Sequence, residues 1–359
     1  LKMLEDPKFF HDGVFDLSST DFEYMVPHVF DGGSFYKMET LKLPGKLKEI
    51  RESLCEYELP IIHRKYNLKQ VVIPASVTKI GRKAFYGMGI EQVTIVDDDI
   101  TPSQLEFIED EAFGNTSLKN ISIPKKCKLG KRCFLNSDLE SAIVPFDIDS
   151  LPESTFDACS SLKKVTIPTA VKSIEKRALY SCHNLKHIDF IDPEKDIITR
   201  CNLENFEIPQ HIVCMGENSF GNNFIIRSIK LPPNLHTVEK ATFQGCENLE
   251  KVECNKELEE IEESAFWGSG LRHFTAPEKV NSIKKDAFGE CVKLGSIEAL
   301  GEEISLGENC CDCCLSLRLM SFPNANIVTV DKSLGGDINE NFALFMPSKP
   351  SQSQLIVKK

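Results

Sequence analysis

Residues 162–184, LKKVTIPTAVKSIEKRALYSCHN, carry apolar side chains at Leu162, Val165, Ile167, Val171, Ile174, Leu179 and Cys182 in a pattern that returns, with drift, from about residue 38 to residue 322. A period of roughly 20 to 30 residues restricts the fold severely, because a unit that short cannot bury its apolar side alone and must stack on its neighbours. The chain therefore reads as a solenoid, one elongated body whose core grows with every turn and which needs no internal domain boundary.

A first turn opens at Met38, and further units start at Leu68, Ile90, Leu118, Leu139, Leu162, Leu185, Leu203, Ile226, Leu249, Leu271, Leu294 and Leu317, about 13 repeats in all. Each places apolar residues at positions 1, 4 and 6, as in Leu68, Val71 and Ile73. Alternation at 4 and 6 predicts a strand with one buried face. Proline at position 7, as in Pro74, Pro124, Pro168 and Pro232, has no N–H to give a ladder and ends that strand. A short second segment follows, as at 77–80, and then a phenylalanine that recurs at 85, 113, 134, 156, 220, 243, 266 and 288. One such ring per turn predicts an aromatic stack inside the coil.

Residues 1–37 fit the repeat poorly and are assigned to an N-terminal cap, 38–330 to the solenoid and 331–359 to a C-terminal cap and tail. Units of unusual length, the connection at 58–66, the insertion VDDDITPSQ after Ile90 and the irregular IDPEKDIITRCN at 191–202, are expected to emerge as loops on one side.

The motif LxxIxIPxxVxxIxxxAFxxC resembles the BspA-type leucine-rich repeat, a variant of about 23 residues found mainly in bacterial surface proteins and some parasitic protists. The resemblance is clearest at 68–89, 162–184 and 226–291. It departs from the motif at Leu179 in place of Phe, Cys133 in place of Ala and the Cys310 and Cys311 pair in place of Ala-Phe. The resemblance implies a curved right-handed solenoid with a parallel sheet along its concave side. It also implies a non-catalytic role in adhesion to host or matrix proteins or to other cells, at a cell surface or after secretion, with a protein or glycan as partner and no cofactor.

Composition narrows the partners further. A net charge of -12 repels a phosphate backbone, and no basic stripe with interleaved aromatics is present, which argues against nucleic acid. No run approaches ~18 apolar residues, so no membrane span is expected. Apolar residues at 41% and charged residues at 27% are values of a folded chain, not a disordered one. Beginning at Leu1 without a basic-then-apolar leader, the chain reads as a mature or trimmed piece.

Fourteen cysteines, with the cluster CCDCC at 310–314, raise the question of a metal. The repeat register answers against it. Cys159, Cys182, Cys246, Cys291 and Cys314 fall three residues after the Phe position, where other units carry Met88, Thr116, Ser137, Asn223 or Ser269. A slot that accepts such different side chains is a packing slot, because a tetrahedral site cannot exchange its ligands freely. A disulfide or two is the second reading and a metal the third. So many unpaired thiols point to a cytosol or an anaerobic surface.

No GxGxxG, phosphate loop, HExxH or GxSxG motif is present. Ser76 and Lys79 match SxxK by letters, but Val77 and Ile80 are repeat core positions. His183 and His187 fall where other repeats put Asn or Ser and read as exposed. Asn115 and Asn120 stand in Asn-x-Ser/Thr sequences, two matches in 359 residues.

With positions 1, 4 and 6 inward, positions 2, 3 and 5 face out of the sheet. Position 2 reads Glu39, Lys69, Glu91, Lys119, Glu140, Lys163, Lys186, Glu204, Arg227, Glu250, Arg272, and nine of these ten neighbouring pairs are opposite in charge. Strands ~4.8 Å apart turn such a column into a cross-strand charge ladder. Its one break pairs Lys163 with Lys186, flanked by Lys164 and His187, a candidate patch for an acidic or sulfated partner. Asp189 and the acids of IDPEKD are the alternative, neutralising it locally. The leading functional expectation is a recognition module; its rivals are a recognition arm of a larger intracellular protein and an enzyme with a pocket built at an insertion.

Overall fold

In the computed structural model of the chain, residues 8–25, 38–52, 67–195, 197–346 and 354–358 are described. The described residues contain no α-helix and form a parallel β-solenoid of about 14 turns. The connection at 58–66 and much of the caps, 1–7, 26–37 and 347–353, lie outside them. Where the period alone suggested an undivided body, contacts group the chain into two compact units, Leu1–Ala170 with Asp189–Ile198, and Val171–Ile188 with Thr199–Lys359. The chain changes unit around the irregular turn. That stretch, read as a loop, runs instead through two strands, His187–Asp192 and Ile197–Asn202. Its β-branched residues favour extension, and Asp192 closes the bend by accepting the N–H groups of Glu194 and Lys195.

In the first unit the strands Val14–Asp16, Thr40–Lys42, Gln70–Ile73 and Gln92–Ile95 pair in parallel, and Phe10–His11 lies antiparallel at the edge. Phe15 is in register with Leu41 and both are buried, so the coil begins ahead of residue 38. Ser141–Ile143 and Lys164–Pro168 repeat the pairing. In the second unit it runs through Asn205–Glu207, Ser228–Lys230 and Lys251–Glu253, and through His273–Ala276, Ser296–Ala299, Leu319–Ser321 and Ala343–Phe345. The short second segments form their own parallel ladders, such as Glu49–Ile50, Lys79–Ile80, Phe107–Ile108 and Lys128–Leu129.

Between the two ladders of each unit lies the ring stack. In the first unit Phe85, Phe113, Phe134 and Phe156 stack with centroids 5.3, 5.8 and 5.8 Å apart. In the second, Phe220, Phe243, Phe266 and Phe288 follow at 6.0, 5.7 and 5.6 Å. All eight are buried. The residues that depart from the motif are buried too: Cys133 fills the Ala slot and donates its thiol back to the Gly130 carbonyl at 3.1 Å.

The corner that presents each ring has a backbone no motif reveals. The residue two before the Phe, from Lys83 and Glu111 to Asp286, has φ between 53° and 59°, and a second left-handed residue follows two after it, as at Asn115, Ala158 and Gly245. For non-glycine residues this costs roughly 1–2 kcal/mol each. The alternation turns every second peptide the same way, so its N–H faces the next turn: Lys83, Phe85 and Gly87 donate to the carbonyls of Asp110, Ala112 and Gly114 at 3.0, 2.9 and 2.9 Å. Ala241, Phe243 and Gly245 do the same to Glu263, Ala265 and Trp267. Such concave runs of N–H groups are strong donor sites for anions or carbonyls, and here each is filled by the carbonyls of the following turn. Just outside the corner, a large ring is matched by glycine one turn on. A Cβ on Gly114 would meet Tyr86 at 3.0 Å, on Gly221 Tyr180 at 2.9 Å, and on Gly289 Trp267 at 2.8 Å.

Candidate functional site

Successive side chains of a strand point to opposite faces, and burial alternates accordingly. Ala142 is buried between exposed Ser141 and Ile143, and Phe206 between exposed Asn205 and Glu207. In each unit the outward residues of neighbouring turns are therefore aligned in columns. The column at position 2 is paired as its alternation requires: Lys119 Nζ stands 3.0 Å from Glu91 and Lys163 Nζ 2.8 Å from Glu140 in the first unit. In the second, Arg227 Nε lies 3.1 Å from Glu204 and an Arg272 guanidinium nitrogen 3.3 Å from Glu250. The charges also act beyond the nearest partner. The Lys119 ammonium is held protonated above its usual range by Glu91 first and then by Glu140, and the Glu140 carboxyl is pulled down by Lys163 first and then by Lys119.

Lys119→Glu would set three acids in a row on this column. It is expected to lower Tm by several degrees at low ionic strength, with the loss shrinking as salt is added and with Lys119→Gln losing less. Melting curves in low and high salt check this, and a Lys119→Glu Tm equal to that of the unchanged chain at low salt would contradict the paired column.

Of the four patch residues, Lys163 and Lys164 belong to the first unit and both are engaged there. Lys163 pairs with Glu140, and Lys164 Nζ lies 2.7 Å from Asp189, whose side chain is 5% exposed. Lys186 and His187 belong to the second unit and are exposed. Asp189 thus neutralises Lys164 locally; what the repeat pattern does not mark is that this acid, at an outward position between buried Ile188 and Phe190, is itself buried.

The remaining chemical candidates are tied into the scaffold. Ser76 donates its hydroxyl to the carbonyls of Gly45 and Leu47, and Lys79 pairs with Glu109 at 2.7 Å. His183 stacks on Phe224 at 4.9 Å. Asn115 donates to the Tyr86 hydroxyl and accepts from Asn136, whereas Asn120 is exposed and accepts from Ser141.

The thirteen described cysteines are free thiols. In the slot after the ring, Cys159, Cys246, Cys291 and Cys314 donate to the carbonyls of Phe134, Phe220, Phe266 and Phe288, one turn back, at 3.0 to 3.3 Å. Asn223 serves the Phe220 carbonyl from its own turn. Burial pushes the Cys246 and Cys291 thiols up to about 12, which keeps them protonated and unreactive. Among the described residues no group of three or more His, Cys, Asp or Glu is placed to hold a metal ion.

The described residues line open cavities. One of about 490 Å³ in the first unit is lined by Lys128, Phe146, Asp147 and Asp149, and one of about 560 Å³ lies in the second. Within the second cavity, Lys332 pairs with Glu308 and Lys358 with Asp331, and Lys284 pairs with Glu260 outside its lining.

Stacked parallel strands, a column of buried rings in each unit and an outward face of paired charges define a leucine-rich-repeat protein. The family model described as the BspA type leucine rich repeat region matches residues 61–101, 97–200, 194–318 and 263–334, and the chain belongs to that family. Among solved structures it is similar to the pneumococcal vaccine antigen PcpA, with 20% identity over 89% of each chain and a TM-score of 0.57, a likeness of fold. A leucine rich cell surface protein of Faecalibacterium prausnitzii shares 22% identity over 79% of this chain and 87% of that one, with a TM-score of 0.47. A leucine-rich repeat protein of Bacteroides ovatus shares 18% over 86% and 92%, at 0.44. No curated protein matches the chain significantly. Among the described residues no helix is long and apolar enough to cross a membrane.

Proposed function

We propose that this chain is a non-catalytic recognition module that binds a protein or glycan partner across the outward faces of its parallel strands, at a cell surface. The observation that carries the reading is the outward face itself. In each unit it presents aligned, exposed residues on a backbone fixed by neighbouring turns, which gives a partner a rigid surface at small entropic cost. The surface location rests on family membership. Lys163, Lys164, Lys186 and His187 are a subordinate part of the reading, since a ligand there must compete with Glu140 and Asp189.

A photoreactive amino acid at Ile143 or Thr275, both exposed on the outward faces, should cross-link a partner from cells or matrix bearing the protein's natural surroundings. The same group at Lys240, exposed at a corner, should not. Cross-linking from Lys240 as strong as from the two sheet positions would speak against the proposal.

A further inference from the structure

The column of Glu204, Arg227, Glu250 and Arg272 continues past Arg272 without the acid that alternation calls for. The next turn places Gly295 there, its N–H donating to the Arg272 carbonyl at 2.7 Å, and the turn after places Arg318, whose N–H reaches the Gly295 carbonyl at 3.0 Å. Two arginines thus stand on strands about 10 Å apart, two strand spacings, with no side chain between them. Nothing in the backbone requires the glycine. Its φ is not left-handed, and a Cβ would find only the Arg272 carbonyl at 3.5 Å and His273 Cε1 at 3.7 Å, ordinary contacts. A side chain at this place would meet no backbone clash.

Its surroundings are cationic and apolar. Lys293, exposed one residue before the strand's first buried leucine, helps to hold the Glu250 carboxyl down, after Arg272 and Arg227. Arg272 is met by Glu250 on the preceding turn. Among the described residues neither Lys293 nor Arg318 has a carboxylate within ion-pair distance. On these neighbouring turns Val292, Leu315 and Leu319 are 46, 56 and 40% exposed. All of these residues belong to the second unit.

We infer that the Gly295 gap docks a protein segment that supplies the missing carboxylate. An Asp or Glu of the partner enters above Gly295 between Arg272 and Arg318, and aliphatic neighbours of that residue cover Val292, Leu315 and Leu319. The inference rests on the recognition reading and names its partner class at one place. A nucleic acid fits worse, because it brings a charge at every step and no aliphatic side chain, and Glu250 on the turn before Arg272 and Glu298 further along the strand of Gly295 add negative charge nearby. An acidic and apolar peptide brings one carboxylate where one is lacking, with the charge pair setting orientation and salt dependence and the apolar contact holding the complex.

The test uses the full chain and a short fluorescent peptide alternating Glu and Leu, followed by anisotropy in low and physiological salt, beside a Gln and Leu peptide and a labelled oligonucleotide. The Glu and Leu peptide should bind, more tightly at low salt. Gly295→Glu, which completes the column from within, and Arg318→Glu should each weaken it at least about tenfold. Gly295→Gln, of the same size without the charge, should keep most of the binding, and the Gly295→Glu chain should melt no lower than its parent. Equal binding of the Gln and Leu peptide, binding of the oligonucleotide alone, absence of peptide binding, or a Gly295→Glu chain that binds as before would each overturn the inference. Cross-linking from Thr275 that survives in the Gly295→Glu chain would leave the recognition reading standing and remove only this site.

Discussion

Replacement of Phe243 by alanine is expected to lower stability by about 3–5 kcal/mol, the cost of an emptied ring site in a packed interior. The ring lies between Phe220 at 6.0 Å and Phe266 at 5.7 Å and has no exposed surface. Total stabilities of ~5–15 kcal/mol make this a large fraction of the whole, yet in a nearest-neighbour array the damage should fall first on the adjacent turns. Hydrogen exchange should lose protection at 220–270 before it changes elsewhere in the second unit. Phe243→Leu should cost less than about 1.5 kcal/mol, because Leu179 already fills the same slot one repeat type away and is buried. Uniform loss of protection through the unit, or a Phe243→Ala chain as stable as the parent, would contradict the stacked register.

Lys164→Met is expected to cost about 2–3 kcal/mol, although Lys164 lies on the surface. The reason is its partner: the Asp189 side chain is 5% exposed, and removing the ammonium at 2.7 Å leaves a buried acid without its cation. The half-exposed lysine keeps the figure below that of a fully buried pair. Lys164→Met combined with Asp189→Asn should recover most of the loss, since an amide carries no charge to strand. Thermal or denaturant unfolding of the three variants gives the coupling. A single Lys164→Met variant that melts like the parent would show that Asp189 is served by other groups. The same measurement bears on ligand binding, because any anion that draws Lys164 away must offset that loss.

How far the fold could be read in advance follows from what a period records. Leu162, Val165 and Ile167 announce a strand with one buried side because burial at every second residue is written in side-chain type. The Phe column and the Cys slot are legible for the same reason. The corner is not. Lys83, Glu111 and Arg132 hold left-handed φ without being glycine or regularly asparagine, so side-chain identity carries no trace of a conformation that hydrogen bonds to the next turn maintain. The thiol bonds to the Phe carbonyls are hidden likewise, since they join residues a full turn apart. At the outward face the alternation of charge is plain and Asp189 is named as a neutraliser, whereas that Asp189 is buried beside Lys164 depends on how neighbouring turns pack, a question of register and not of local pattern.

The corner ladder gives each unit a sense of direction. Every bonded N–H there looks toward the later turn and every accepting carbonyl toward the earlier one, so the peptide dipoles add along the stack as they do along a helix. The two ends of such a stack differ in kind: the early end shows acceptors, the late end donors. Any backbone that prolongs the ladder must therefore bring N–H groups to the early end or carbonyls to the late end. Two like ends cannot join through it. Extension by this route is polar, head to tail, with the direction written in the backbone of every turn.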